Sequence, residues 1–392
     1  MLFTSESVSC GHPDKICDQI SDAILDEFLK QDEDSKVACE CFITNNLLVV
    51  GGEAHSTATV DIVGTAKKVI EEIGYNGTNG FNPETAVFVN TLHEQSPDIR
   101  QGVNKSNKEN QGAGDQGIMF GYACNQTKQF MPVEIVLANE MMKAYDDLRK
   151  QGELQFARPD AKCQFTVEYP ENNYHIPIRT RTIVFSFQHD NNIFNVEQMY
   201  QDYYNKVLKL VEKRNPDLKN FLKPQEIFIN PTGKFVIGGP EGDTGLTGRK
   251  IVVDTYGGKC PHGGGAFSGK DSSKVDRSAA YYARYIAKNL VAAGVADELT
   301  VQLSYAIGVD KPVSIFVDGY NLKIENHEIV SLIKKLFNPT PYNIIKTFNL
   351  KRPIYQKTAT YGHFNNANYP WEQLDKVDEI LKYLKNEKIF LS

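Results

Sequence analysis

Apolar residues recur at helical spacing soon after the chain begins. Ile16, Ile20, Ala23, Ile24 and Phe28 fall on one face, which predicts a helix led in by Gly11-His12-Pro13-Asp14-Lys15. Pro13 suits the first helical position, where its missing N–H leaves no bond unmade. His12 and Asp14 then sit at a helix N-terminus, with its partial positive charge and free N–H donors. A helix cap and a favourable charge would explain them equally well. Residues 37–43 alternate, and 47–53 follow after Asn45-Asn46, the pattern of a β-hairpin. With a two-residue turn Glu40 opposes Gly51, and Glu40 and Glu53 share a face with Ala38 and Phe42. That company predicts partial burial of the glutamates. Further helices are expected over 60–73, 132–150, 196–211, 273–291, 329–337 and 375–384. Strands are expected over 85–92, 118–122, 163–169, 182–189, 300–309 and 313–317. Asp276 three residues after Ser273 resembles a capping box. Helices and strands recur along the whole chain, an α/β pattern without a Pro/Ser-rich linker. From 95 to 114 the periodicity lapses into a polar run too long for an ordinary connection, which predicts a lid.

A second break in the pattern is richer in chemistry. Residues 233–269 span 37 positions and hold 12 of the chain's 29 glycines. Each glycine weakens regular structure by roughly 0.5–1 kcal/mol relative to Ala. Lys234, Arg249, Lys250, Lys259, Lys270 and Lys274 are interleaved with Asp243, Asp254, Asp271 and Asp276. Bare backbone N–H groups beside cations suit a polyanion, and nearby carboxylates suit a divalent metal. Ile251-Val252-Val253 and Ala266-Phe267 are apolar inserts expected to pin the segment to a core. A solvated loop is the simpler alternative. Residues 264–270 fit the spacing G-x-x-x-x-G-K of a P-loop, but Asp271 stands where that motif needs a hydroxyl for Mg²⁺. Gly112-Ala113-Gly114-Asp115-Gln116-Gly117 presents Asp115 at a turn into a strand. Lys162 opens another strand, a position that is usually just solvated.

Composition narrows the classes. At 392 residues, two or three domains fit. A net charge of −6 gives no global field for nucleic acid, and no apolar run approaches a membrane span. Seven scattered cysteines and no signal-peptide pattern point to reduced thiols in a cytoplasmic protein, without a disulfide framework or zinc site.

Several long motifs then coincide: SESVSCGHPDK (5–15), VGGE (50–53), QSPDI (95–99), GAGDQGIMFGYA (112–123), RPDAK (158–162), GGPEGDTGLTGRK (238–250), GGGAFSGKD (263–271) and KVDRSAAY (274–281). Together they make the chain similar to the S-adenosylmethionine synthetases from Phe3 to Trp371. The resemblance implies an α/β fold of three similar two-layer domains around a pseudo-threefold axis. The corresponding division here is 1–98, 99–232 and 233–392. It also implies formation of S-adenosylmethionine from ATP, L-methionine and water. The methionine sulfur attacks C5′, and tripolyphosphate leaves and is hydrolysed to pyrophosphate and phosphate.

Carried over motif by motif, the resemblance implies His12, Lys162, Asp115 and Lys270 as catalytic residues. ATP would be held by His12, Asp160, Lys162, Lys234, Phe235, Asp243, Arg249, Lys250, Ala266 and Lys270. Methionine would be held by Glu53, Gln95, Asp243 and Lys274. Two Mg²⁺ per site would sit on Asp14 and Asp276, and K⁺ on Glu40. A homodimer with shared active sites, paired into a homotetramer, and a gating loop over 95–112 are implied too. Cys10 stands where the family carries Glu, and Lys234 where it carries Arg, keeping charge but losing a planar fork. The competing expectations are a P-loop-like ATP hydrolase or kinase and an inactive regulatory paralogue.

Overall fold

The structure is a computed structural model that describes residues 1–77, 80–95, 109 and 111–387. Among these residues, three sheets organise the fold. The first runs β1 (Leu2–Val8), β7 (Ala157–Glu168), β8 (Arg179–His189), β9 (Glu226–Ile229). The second runs β10 (Gly245–Leu246), β2 (Lys36–Thr44), β3 (Leu47–His55), β4 (Val87–Asn90), with β5 (His93–Glu94) also beside β3. The third runs β12 (Ser314–Tyr320), β11 (Glu298–Tyr305), β6 (Gly117–Cys124).

Each sheet buries one face under helices, as mostly antiparallel sheets do. In the second, Val37, Cys39, Cys41 and Ile43 alternate inward with Leu48 and Val50. They meet α1 (Pro13–Gln31) and α2 (Ile62–Ile73) in one core. The first and third sheets share a larger core. α3 (Val133–Lys150) lies on β1 and β7, with α4 (Val196–Arg214) against it. The short α5 (Ile251–Asp254) touches β1, and α6 (Val275–Ala292) covers β6 and β11. α7 (Asn326–Leu336), α8 (Pro341–Phe348) and α9 (Val377–Asn386) close the end of the chain around α6 and β12.

The sheets exchange strands in a cycle. β1, from the first stretch of chain, pairs with β7. β6, from the middle, pairs with β11. β10, from the Gly-rich segment, pairs back with β2, Gly245 opposite Ile43 and Leu246 opposite Phe42. No sheet is therefore assembled from one contiguous third of the sequence.

The hairpin register is the expected one, with Thr44 opposite Leu47 and Glu40 opposite Gly51. α1 starts at Pro13 with His12 as its cap. Other boundaries move. The strand expected from 163 begins at Ala157, so residues 158–162 lie inside β7 rather than before it. The strands expected over 300–309 and 313–317 shift to β11 and β12, and 85–92 shortens to β4. The capping box at Ser273 does not form, because Asp276 is drawn to Lys270 and Asp271 accepts from Ser273 N instead. The lid expected over 95–114 lies largely outside the described residues.

Candidate active site

The start of α1 holds the first cluster. Nδ1 of the buried His12 accepts from Asp14 N at 3.2 Å, which leaves Nε2 to carry the imidazole proton. Burial, with Lys250 and Lys162 nearby, lowers its pKa to about 3, so the ring is a neutral donor at physiological pH. Asp14 accepts from Leu246 N of β10 at 3.0 Å and from Lys250 Nζ at 2.5 Å. Arg249 Nε lies 3.6 Å from the same carboxylate. Burial pushes Asp14 up, but the Lys250 ammonium and the Leu246 N–H outweigh it and hold the group below its ordinary range. The helix meets β10 this closely because position 245 is glycine: a Cβ there would lie 2.2 Å from the Pro13 carbonyl carbon.

Strand β7 lines the next edge. Lys162 is exposed, with its Cα opposite Val8 and Ser186. Asp160 is buried and accepts from Gly239 N at 2.8 Å, while its Oδ1 has no protein partner. Burial raises its pKa to about 6. The loop before Gly239 folds onto the end of β8: His189 N donates to Phe235 O at 2.9 Å and Gln188 Nε2 to Val236 O at 2.9 Å. Phe235 is half-buried there; Lys234 and Asp243 are exposed.

The second cluster lies at the other end of β2. Lys270 Nζ donates to Asp276 Oδ2 at 2.5 Å, and each side chain keeps about one-fifth exposure (21% and 20%). The Lys270 backbone bridges Ala38, with Cys39 N donating to Gly269 O and Asp271 N to Val37 O. Gly265 fits against the carboxylate, since a Cβ there would lie 2.5 Å from Asp276 Cγ. Ala266 is half-buried against Gly248, and Phe267 is buried as expected of an insert. Val253 is buried too, but Val252 is exposed. Lys274 pairs with Asp271, which also accepts from Val37 N and Ser273 N. Asp271 therefore serves the framework, in the place where a P-loop hydroxyl would face metal. Asp115 is exposed and accepts from Gln116 N.

The third group sits on the open face of the second sheet. Gln95 Nε2 donates to Glu53 Oε1 at 2.9 Å, and Glu53 is paired with Ala38, beside Lys270. Glu40 shares this face but is exposed rather than partly buried, since only small and half-buried neighbours flank it. Glu40, Phe42, Gly51, Glu53, His93 and Leu246 line a cavity of about 460 Å³. A larger groove of about 750 Å³ at Phe156, Phe194 and Tyr203 contains none of the residues singled out from the sequence.

Within one chain the two carboxylate–lysine pairs stand apart. Leu246 pairs with Phe42 and Lys270 bridges Ala38, four residues away along β2, or ~13 Å. Among the described residues no hydrogen bond or ion pair joins Asp14 or Lys250 to Lys270 or Asp276.

The rest of α1 carries framework residues that its apolar periodicity does not reveal. Asp14, Asp18, Asp22 and Asp26 fall on one buried face, four residues apart. Each accepts a backbone N–H from later in the chain: Leu246, Gly248, Gly269, and Tyr355 with Gln356. Their regular i, i+4 spacing is the signal in the sequence, and it runs beside the apolar face of the same helix.

Three family models match the chain: S-adenosylmethionine synthetase N-terminal domain over residues 1–97, central domain over 110–235 and C-terminal domain over 237–373. The chain is also 51% identical over 390 residues to the S-adenosylmethionine synthase of Mycoplasma capricolum subsp. capricolum, covering 98% of this chain and 97% of that one. It is likewise 51% identical over 389 residues, with the same coverage, to the S-adenosylmethionine synthase of Mycoplasma mycoides subsp. mycoides SC.

Proposed function

The chain belongs to the S-adenosylmethionine synthetase family, and on that premise we propose a methionine adenosyltransferase in which the L-methionine sulfur attacks C5′ of ATP, the C5′–O bond breaks and tripolyphosphate leaves. The observation that supports this reading is the pair of partly open carboxylate–lysine contacts, Asp14–Lys250 and Lys270–Asp276, at opposite ends of β2. A polyphosphate entering such contacts takes the ammonium groups, and the released carboxylates turn to cations.

The neutral His12 donates from Nε2 to the oxygen next to C5′ and to its phosphate as negative charge builds there. Lys162, Arg249, Lys250 and Lys270 neutralise the tripolyphosphate. Preorganised donors of this kind act where charge develops, without reorganisation during the reaction. The orphaned Oδ1 of Asp160 is an acceptor for a nucleoside hydroxyl, and Phe235 and Ala266 supply apolar contact. Glu53 and Gln95 hold methionine with Asp243 and Lys274. Lys274 shares its charge with Asp271, so its hold on a substrate carboxylate is the weaker for it. Asp115 offsets the sulfonium charge. Alignment of sulfur and C5′ contributes a further entropic part of the rate. Tripolyphosphate is then hydrolysed to pyrophosphate and phosphate.

Two Mg²⁺ fit this chemistry. Among the described residues no three His, Cys, Asp or Glu side chains converge, and Mg²⁺ ordinarily takes one or two carboxylates plus phosphate oxygens and water. Asp14 and Asp276 would each supply that carboxylate, and the exposed Glu40 would hold K⁺. When bound, the metal neutralises phosphate oxygens. The ~13 Å between the clusters, set by four residues of β2, supports a homodimer in which one chain's His12 cluster faces its partner's Lys270 cluster. A homotetramer in the cytoplasm completes the reading. Among the described residues no helix is long and apolar enough to cross a membrane.

The decisive experiment incubates the protein with ATP, methionine, Mg²⁺ and K⁺ and follows S-adenosylmethionine by mass spectrometry. Absence of product from folded, ATP-binding protein overturns the proposal. ADP formation without methionine would favour a hydrolase instead.

A further inference from the structure

Lys270 and Asp276 face the ligand in the proposed reading. Resting on that assignment, we infer that Asp22 and Arg277, neither of which touches the ligand space, form a buried clamp that sets the position of this pair. Asp22 Oδ1 accepts from Gly269 N at 2.8 Å and from Arg277 Nη1 at 2.6 Å, and Asp22 Oδ2 accepts from Arg277 Nη2 at 2.8 Å. Arg277 Nη1 also donates to Lys270 O at 3.2 Å. The ion pair thus brackets the dipeptide Gly269-Lys270, binding the N–H at its start and the carbonyl at its end. β2 holds this stretch from the other side: Cys39 N donates to Gly269 O, and Val37 O accepts from the N–H of Asp271, the residue that follows. Gly269 can enter this slot only as glycine: its φ is +80° and a Cβ would lie 1.8 Å from Cys39 O.

The guanidinium reaches the second member of the pair through the chain itself. Arg277 directly follows Asp276 in the first turn of α6. Its remaining donors are fixed by Thr358 Oγ1 at 3.0 Å and Tyr281 OH at 3.0 Å. The side chains of Arg277 and Asp22 are 1% and 0% exposed, so the clamp is dry. Asp22 lies two helical turns, ~12 Å, along α1 from Asp14. A single helix therefore carries His12 and Asp14 at its tip and, through Asp22, fixes the distance to Lys270 and Asp276.

A double-mutant cycle tests the clamp. Arg277→Lys keeps the charge but loses the fork that binds Asp22 and Lys270 O together. Asp22→Asn keeps the shape and loses the charge. Each is measured for kcat and KM, alone and in a Lys270→Met background, beside thermal unfolding of the same samples. The clamp predicts a kcat per folded molecule at least about tenfold lower in R277K, shrinking to less than about threefold once Lys270 is Met. A fall in Tm with kcat unchanged, or a kcat loss equal in both backgrounds, overturns it. Near-normal turnover of K270M alone instead overturns the assignment of Lys270 on which the clamp rests. Should both clamp variants fail to fold, Tyr281→Phe, which removes only the hydroxyl beside Nε, carries the same cycle. An unchanged kcat in Y281F would then overturn the clamp.

Discussion

Asp14 and Asp22 lie two turns apart on one face of α1, and each accepts a backbone N–H from the Gly-rich region and faces a cation. Their cations differ. Arg277 is sealed against Asp22, whereas the Lys250 side chain keeps 18% of its surface open beside Asp14. Lys270 and Asp276 keep similar openings. A buried charge pair whose members have no other outlet is permanent, since removing one partner strands the other in low dielectric. A pair with an open flank can exchange its partner for a ligand. The same residue type at the same spacing is thus sealed in the framework at one turn and, in the proposed function, would be a binding group at another, with solvent access as the difference.

Breaking the permanent side should produce the largest loss of stability. Lys15 is fully buried between Asp18 and Asp254. Lys15→Met leaves two carboxylates with no cation and should destabilise the fold by about 3–5 kcal/mol, read as a lowered Tm or denaturant midpoint. If K15M unfolds like the parent, the distinction between framework and ligand-facing pairs fails. On the open side, Lys270→Met should leave Tm nearly unchanged while lowering turnover by about 2–4 kcal/mol in transition-state terms, measured as kcat/KM. Asp14→Asn should shift the Mg²⁺ concentration needed for half-maximal turnover upward by about tenfold or more, in line with loss of a charged ligand; an unmoved Mg²⁺ titration would remove Asp14 from the metal site.

The last expected effect is a pH slope on the framework side. Asp26 accepts three hydrogen bonds from Tyr355 and Gln356 N–H groups and, among the described residues, forms no ion pair. Burial raises its pKa from 3.8 to about 6. The folded state then holds a proton that the unfolded state has released, so this group's contribution is full below about pH 4 and lost as pH rises through 6. Relative to Asp26→Asn, the parent should lose on the order of 2–3 kcal/mol between pH 4 and 7 by denaturant unfolding. Parallel curves for the two proteins would show that Asp26 does not titrate in this window.

Much of the local structure was legible in the sequence. Pro13 placed the start of α1, and the two-residue turn at Asn45-Asn46 fixed which residues face each other across the hairpin. These features depend on neighbours within a few positions. The pairing of β10 with β2 was not legible: two residues, Gly245 and Leu246, carry no periodicity, and their partners lie two hundred positions earlier. The roles of Asp18, Asp22 and Asp26 were hidden for a related reason. Their spacing is local, but the backbone N–H groups that justify it lie far along the chain, in the Gly-rich stretch for Asp18 and Asp22 and at Tyr355 and Gln356 for Asp26. Within the Gly-rich stretch the open and the buried charges are mixed together. Lys270 and Asp271 are adjacent, yet the first is open and the second buried, and only their opposite directions from the edge of β2 separate them.

The cyclic exchange of strands bears on how the chain is made. Leu2–Val8 emerges well before its partner at residues 162–168. At ~5–20 residues per second, a ribosome leaves that strand unpaired for about 8–30 seconds. The open edge of β2 waits longer still, until Gly245 and Leu246 appear. Truncated products from this chain should therefore be poorly folded and chaperone-dependent, and its refolding should be slow, as expected where long-range pairings dominate.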